Sequence, residues 1–273
     1  EDYKATISAN FPTISDISVW GGQDNIPIAY GKVYIALDFN PGLTEAAKTT
    51  IKNNIKTNFS DNLAVMSITP EFVNPQEVYL ELSTNITVNP DTTSKAPVTL
   101  ENETNQVIKD YFDNTINGFG KTFRRSNLLT LIDSLDDALL NSRIDVKMQV
   151  RLVPILNQSQ AYELIFPVAI AEPDDQNIII ESASFDITGI NGTCKIINKL
   201  GTNTLRIVNI DDNNSLVTDN IGSYDAIKGK LNLTNFNPSL IIGGVNFIKF
   251  SAVPQNEGNI IALRNFIFKN DTS

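Results

Sequence analysis

The chain has 273 residues, of which 41% are apolar and 19% charged, the balance of a globular protein and not of a disordered one. Histidine is absent and Cys194 is the single cysteine, which excludes Ser-His and Cys-His catalytic pairs, His-ligated metals and a disulfide framework. With 21 Lys and Arg against 31 Asp and Glu the net charge is -10; a chain so acidic repels a phosphate backbone, so no nucleic-acid partner is expected. No stretch reaches the roughly 18 apolar residues of a spanning helix, and no membrane partner is expected either.

Residues 1–32 read as an extended, irregular segment, punctuated by Pro12, Gly21, Gly22, Pro27 and Gly31. From Lys32 to Phe39 a strand follows, with Val33, Ile35 and Leu37 on one face. Thr44 can cap a helix whose stripe is Ala47, Ile51, Ile55 and Phe59. Leu63 to Ile68 read as a short strand. Val78 to Val88 alternate strictly between apolar and polar, the mark of a long half-buried strand.

A second helix is expected from near Thr99, with Val107, Ile108, Tyr111, Phe112 and Ile116 on one side and Gly118 as its stop. A third is expected to be capped by Ser126, with Leu128, Leu131, Ile132, Leu135 and Leu139 as its buried face. Ile144 to Leu152 resume alternation as a strand. One sheet with three helices would bury all these stripes, which makes residues 33–155 an α+β domain.

Residues 156–273 carry no helical period. Short strands are expected near 161–171, 177–188, 193–199, 203–210, 226–234, 239–251 and 258–268, with turns at Pro173-Asp174-Asp175, Asn191-Gly192 and Asp211 to Asn214. This spacing suggests an all-β domain, an antiparallel sandwich or barrel. The fold class is therefore α+β: a mixed sheet with three helices, then a β-sandwich or barrel-like domain.

Nothing in the sequence assembles an active site. Asp211-Asp212-Asn213-Asn214-Ser215 offers oxygen ligands, but Leu216 and Gly222 stand where a calcium loop needs Gly and Glu, so it reads as a polar hairpin tip. Asp133, Asp136 and Asp137 fall on the third expected helix and read as its solvated face. Lys121, Arg124 and Arg125 are the main basic cluster, able to bind an anion or to pair with acidic neighbours. Trp20 is a lone Trp beside two flexible residues, Gly21 and Gly22, and reads as core or interface filler; Gly42, Gly118, Gly120 and Gly243-Gly244 do not supply the strand-to-helix glycine pattern of a phosphate loop. Cys194, on an expected strand, reads as an inert small hydrophobe. No catalytic, cofactor-binding or metal site is expected, and the chain does not read as an enzyme.

Two stretches resemble a known family. Asp16-Ile17-Ser18-Val19-Trp20-Gly21-Gly22, continuing through Asn25, Pro27, Tyr30, Gly31, Val33 and Ile35, is similar to a segment of the baseplate wedge subunit of T-even-type contractile-tail bacteriophages. Asn220 to Leu231 resembles that family's Gly-containing hairpin, with Tyr224-Asp225 in reversed order and Ile28 where a second Pro is expected. The order of central elements is similar to the baseplate-J-like superfamily. The resemblance implies a structural virion protein of the tail baseplate, assembled in the host cytoplasm. It implies a homodimer or ring oligomer that joins neighbouring wedges into the inner ring around the hub and contacts other baseplate wedge proteins. The chain would be the C-terminal part of a longer subunit. A carbohydrate- or receptor-binding tail or adhesin module is the alternative. Trp20 and Tyr30, then Phe266 and Phe268, are the candidate interface aromatics; core packing accounts for each equally well, since periodicity does not separate a buried face from an interface face.

Overall fold

The computed structural model describes residues 2–25, 28–62 and 69–271. The strand expected over Leu63 to Ile68 and the side chain of Phe59 lie outside the described residues, as do Ile26 and Pro27. The chain divides into two compact units. The first comprises Glu1–Glu77, Asn117–Lys121 and Ala262–Phe268; the second comprises Val78–Ile116, Thr122–Ile261 and Lys269–Ser273.

The first unit opens with helix α1 (Asp2–Asn10) and strand β1 (Ile14–Gly21), where an irregular segment was expected. Among its described side chains helix α1 buries one apolar residue, Ile7; no stripe announces it in the sequence, and tertiary contact overrides the weak local signal. Strand β1 hides behind its flanking Pro and Gly, but it pairs with β2 (Lys32–Phe39) from Ile14↔Phe39 to Gly21↔Val33. Helix α2 (Glu45–Asn62) starts as expected: Ala47 N–H donates to Thr44 Oγ1 at 3.3 Å. Strand β3 (Thr69–Val73) joins β2 in parallel, so this three-stranded sheet is mixed. Both of its faces are covered. Ile17, Ile35 and Leu37 pack against Ile7 of α1 and Ile55 of α2. On the other face Ala36 packs with Phe119 and Ile267.

From Gln76 onward the chain forms β4 (Gln76–Val88), β5 (Thr122–Arg124), β6 (Leu139–Leu152), β7 (Gln160–Ile165), β8 (Ile180–Ser182), β9 (Phe185–Asp186), β10 (Cys194–Asn198), β11 (Thr204–Asn209), β12 (Ser215–Asp225), β13 (Lys230–Phe236), β14 (Leu240–Ile241), β15 (Ile248–Ala252), β16 (Asn259–Ile261) and β17 (Phe266–Asn270), with helices α3 (Pro97–Asn114) and α4 (Arg125–Asp133). Twelve strands form one sheet along the path β17-β4-β6-β15-β8-β10-β11-β12-β13-β7, with β9 and β14 to the side. The sheet does not close into a barrel. Strands β5 and β16 make a separate ladder.

Helix α3 uses the expected residues Ile108, Tyr111 and Phe112, and adds Leu100 and Thr104 to its buried face. Pro97 occupies its first turn, where a missing N–H costs nothing. Helix α4 is shorter than expected: it starts at Arg125, so Ser126 lies inside it, and it stops at Asp133. Asp136 then folds the chain into a turn, accepting Ala138 N–H at 3.0 Å through its side chain and Leu139 N–H at 3.0 Å through its carbonyl. This local bonding competes with the helix, and Leu139 begins β6 instead of ending α4. Strand β12 was not foreseen. Asp219, Asn220 and Ser223 are exposed polar residues, Leu216 is an exposed apolar one and Gly222 interrupts the strand, so no clean alternation results.

Two adjacent register rows cross β4, β6, β15 and β8. Leu80, Met148, Ala252 and Ile180 form one row, each 0% exposed. Tyr79, Gln149, Ser251 and Glu181 form the next, on the opposite face. Successive strand residues point to opposite faces, so one side of this sheet is core and the other polar.

Gly222 sits at φ +150, and a Cβ there would lie 2.0 Å from the Asn232 carbonyl oxygen across the ladder. Gly189 is also left-handed, at φ +85, but has open space around it. We expect Gly222→Ala to cost about 2–4 kcal/mol in urea denaturation and Gly189→Ala about 1 kcal/mol, because only the first adds a backbone clash to the strained dihedral.

Candidate interaction surfaces

The Trp-Gly-Gly segment is a device for shaping a loop. Trp20 stacks on Tyr34 across the β1–β2 pair, with ring centroids 5.7 Å apart, and its Nε1 donates to Asn25 Oδ1 at 3.3 Å. Gly22 accepts from Ala29 N–H at 2.9 Å. A Cβ on Gly22 would lie 1.7 Å from the Ala29 carbonyl oxygen, so only glycine permits this close return of the chain. The loop then presents Ile28 and Tyr30, 59% and 81% exposed.

Asp16, in the same segment, holds a distant piece of chain. Its carboxylate accepts Phe119 N–H at 2.7 Å and lies 3.5 Å from Lys4 Nζ. Gly118, at φ +100, leaves room for that carboxylate, since a Cβ would lie 2.5 Å from Asp16 Oδ2. Gly118 was expected to stop a helix; α3 ends earlier, and the glycine serves this contact instead.

Phe266 and Phe268 occupy core positions, 3% and 2% exposed, and Trp20 is half-buried. Of the four aromatics singled out from the sequence, Tyr30 is the one fully at the surface. Sequence reasoning passed over other exposed apolar residues. In the second unit the β6–β7 connector exposes Val153, Ile155 and Leu156, and β14 exposes Leu240. Asn157 N–H donates to the Pro238 carbonyl at 2.9 Å, which brings connector and β14 side by side. The signal available in the sequence was a Val-Pro-Ile-Leu run in an expected linker.

The polar face of the large sheet is a connected network. Gln149 is 0% exposed, and its Nε2 donates to Glu81 at 2.5 Å and to Asp271 at 2.8 Å. Ser251 Oγ donates to the same Glu81 oxygen at 2.7 Å. Arg151 donates to Gln149 Oε1 and to Asp271, both at 3.1 Å. Its guanidinium lies 3.4 Å from the Tyr79 ring centroid and 4.5 Å from that of Phe247. Lys249 adds a second cation to Asp271 at 3.1 Å. At the next strand Glu181 takes Lys147 and, at 3.7 Å, Lys195. Burial pushes the Glu181 carboxyl up, but the Lys147 bond and both lysine charges outweigh it and hold the pKa below the ordinary value.

The remaining candidates take structural places. Asp211 to Asn214 form the turn between β11 and β12, with Asn213 and Asn214 left-handed at φ 50 and 58. Asp133 accepts from Ser142, while Asp136 pairs with Lys95 at 3.4 Å. Arg125 bonds Glu257 at 3.0 Å and the Ile144 carbonyl at 3.3 Å, which takes it out of the basic cluster as a free group. Cys194 is buried, and desolvation raises its thiol pKa. Among the described residues no group of three or more Cys, Asp or Glu is placed to hold a metal ion.

Two family models match. Residues 1–73 match "Baseplate structural protein gp6, C-terminal domain I", and residues 76–151 match "Baseplate structural protein gp6, C-terminal domain III". The chain belongs to the gp6 family of baseplate structural proteins. No individual curated protein matches it. Membership in the gp6 family makes the chain a structural component of the virion, at the phage tail baseplate. The first match contains the Asp16 anchor and the Gly22 loop; the second contains α3, α4 and the β4–β6 pair.

Two outcomes are expected. Asp16→Ala leaves the Phe119 N–H without its acceptor and should lower stability by about 1–3 kcal/mol in thermal denaturation. Glu181, with its depressed pKa, contributes stability above the ordinary carboxyl value of 4.5 that is lost as pH falls through the lower folded value. Glu181→Gln should therefore be less stable than the parent at pH 7 by about 1 kcal/mol, after screening of a partly exposed pair. That gap should close as Tm is followed below pH 4.5.

Proposed function

We propose that this chain acts as a joint in the baseplate. It forms a homodimer, links neighbouring wedges into the inner ring around the hub, contacts other wedge proteins and catalyses no reaction. The family match carries this reading. The surface supports it: Tyr30 and Ile28 stand out from a loop whose return is fixed by Gly22, and rigid aromatic anchors are what protein interfaces use. The titratable groups of the polar sheet face are tied to one another, which suits a scaffold. Stable assembly interfaces bury about 1,200–2,000 Å² or more, so the Tyr30 loop is one anchor within a larger surface.

Light scattering on the purified chain should return a dimer or larger species. Ile28→Asp combined with Tyr30→Ser should weaken self-association at least tenfold while leaving the circular dichroism spectrum unchanged. A parent chain that is strictly monomeric at high micromolar concentration would overturn the proposal.

A further inference from the structure

Two uncharged stretches of chain meet on the second unit. Leu231 to Ile248 is the longest run without a charged residue, and Leu152 to Tyr162 carries none either. Asn157 N–H donates to the Pro238 carbonyl at 2.9 Å, which joins the β6–β7 connector to the approach of β14. Leu152 pairs with Ile248, so Val153 lies where the β14–β15 loop comes in. Gly243 and Gly244, left-handed at φ +104 and +72 with open space around them, turn that loop between Ile242 and Val245.

Val153, Ile155, Leu156, Leu240, Ile242 and Val245 are each between 39% and 62% exposed. At these exposures they present roughly 500 Å² of apolar surface, as much as the largest patch that a typical monomer leaves open. The backbone beneath is fixed: Ser239 N–H donates to the Asp186 carbonyl at 2.8 Å and Ile242 N–H to that of Ser184 at 3.3 Å. Asp186, opposite Leu240 in the ladder, is an acidic group at the rim.

We propose that a second copy of this chain covers this patch, seated patch to patch about a twofold axis. Charge argues for that occupant. The chain carries a net charge of -10, so two copies repel wherever their acidic surfaces meet. The uncharged stretches allow a self-contact that sets no charge of its own against its like. Area agrees, because a twofold contact uses the same patch twice. These six side chains alone then bury about 1,000 Å², where specific interfaces begin. A charge-depleted centre with a polar rim is also the composition of such interfaces. The inference rests on the self-association proposed above, and adds a contact on the second unit to the Tyr30 loop of the first.

The test combines sedimentation equilibrium of the full chain with hydrogen exchange at low and high protein concentration. Ile155→Gln combined with Leu240→Gln removes apolar area without adding charge. The variant should associate at least tenfold more weakly with an unchanged circular dichroism spectrum. In the parent, amide exchange from Gly243 to Asn246 should slow at high concentration. That protection should not fall as NaCl rises from about 50 to about 500 mM, since screening weakens contacts between charges and not an apolar one. Equal association by the variant, or exchange that ignores concentration, overturns the second copy as occupant. Protection lost with salt overturns the uncharged contact. Should the variant unfold, exchange in the parent decides. A parent that associates while the patch stays silent sinks this inference alone, whereas a strictly monomeric parent sinks the dimer and this contact together.

Discussion

Strand β6 is shared by two incompatible environments one residue apart. Met148 faces the apolar core, and Gln149 faces the polar network; both are 0% exposed. The register through β4, β6, β15 and β8 keeps them apart. A slip of one residue would put Leu80 and Met148 among carboxylates and Gln149 into the core. The polar row enforces that register because its groups are buried and mutually satisfied. Gln149 fills both Nε2 protons with Glu81 and Asp271, and removing one partner would leave a buried group unpaired.

The same network ties the end of the chain into the sheet. Asp271 follows β17 and is fixed by Arg151, Lys249 and Gln149, while its N–H reaches the Leu80 carbonyl at 3.4 Å. Residues far apart in sequence thus meet on one sheet face. Charges locked to each other on a sheet face suit a structural protein of the baseplate. In the first unit, by contrast, exposed apolar groups project from a loop, at Ile28 and Tyr30.

The first unit uses a different device for a similar end. Strand β2 is covered on both faces, and its second face is completed by Phe119 and Ile267 from remote segments. Asp16 and Gly118 secure the first of these. The motif that carried the family resemblance therefore combines two tasks: Asp16 and Gly22 shape the unit, and the residues after Gly22 reach its surface.

Local pattern alone settled the elements whose burial is one-sided and strong. The β4 alternation, the α3 stripe and the Thr44 cap were all legible, since period and capping are properties of adjacent residues. So was the family, from Asp16 to Gly22. Tertiary structure decided what depends on distant partners: α1 and β1, whose own stripes are too weak to declare them; the early end of α4, where Asp136 bonds its own backbone; and β12, which reads as polar until β11 and β13 pair with it. It also decided which aromatics are core and which are surface. Phe268 and Tyr30 look alike in a sequence, and only the packing of other chain segments around one of them sets them apart.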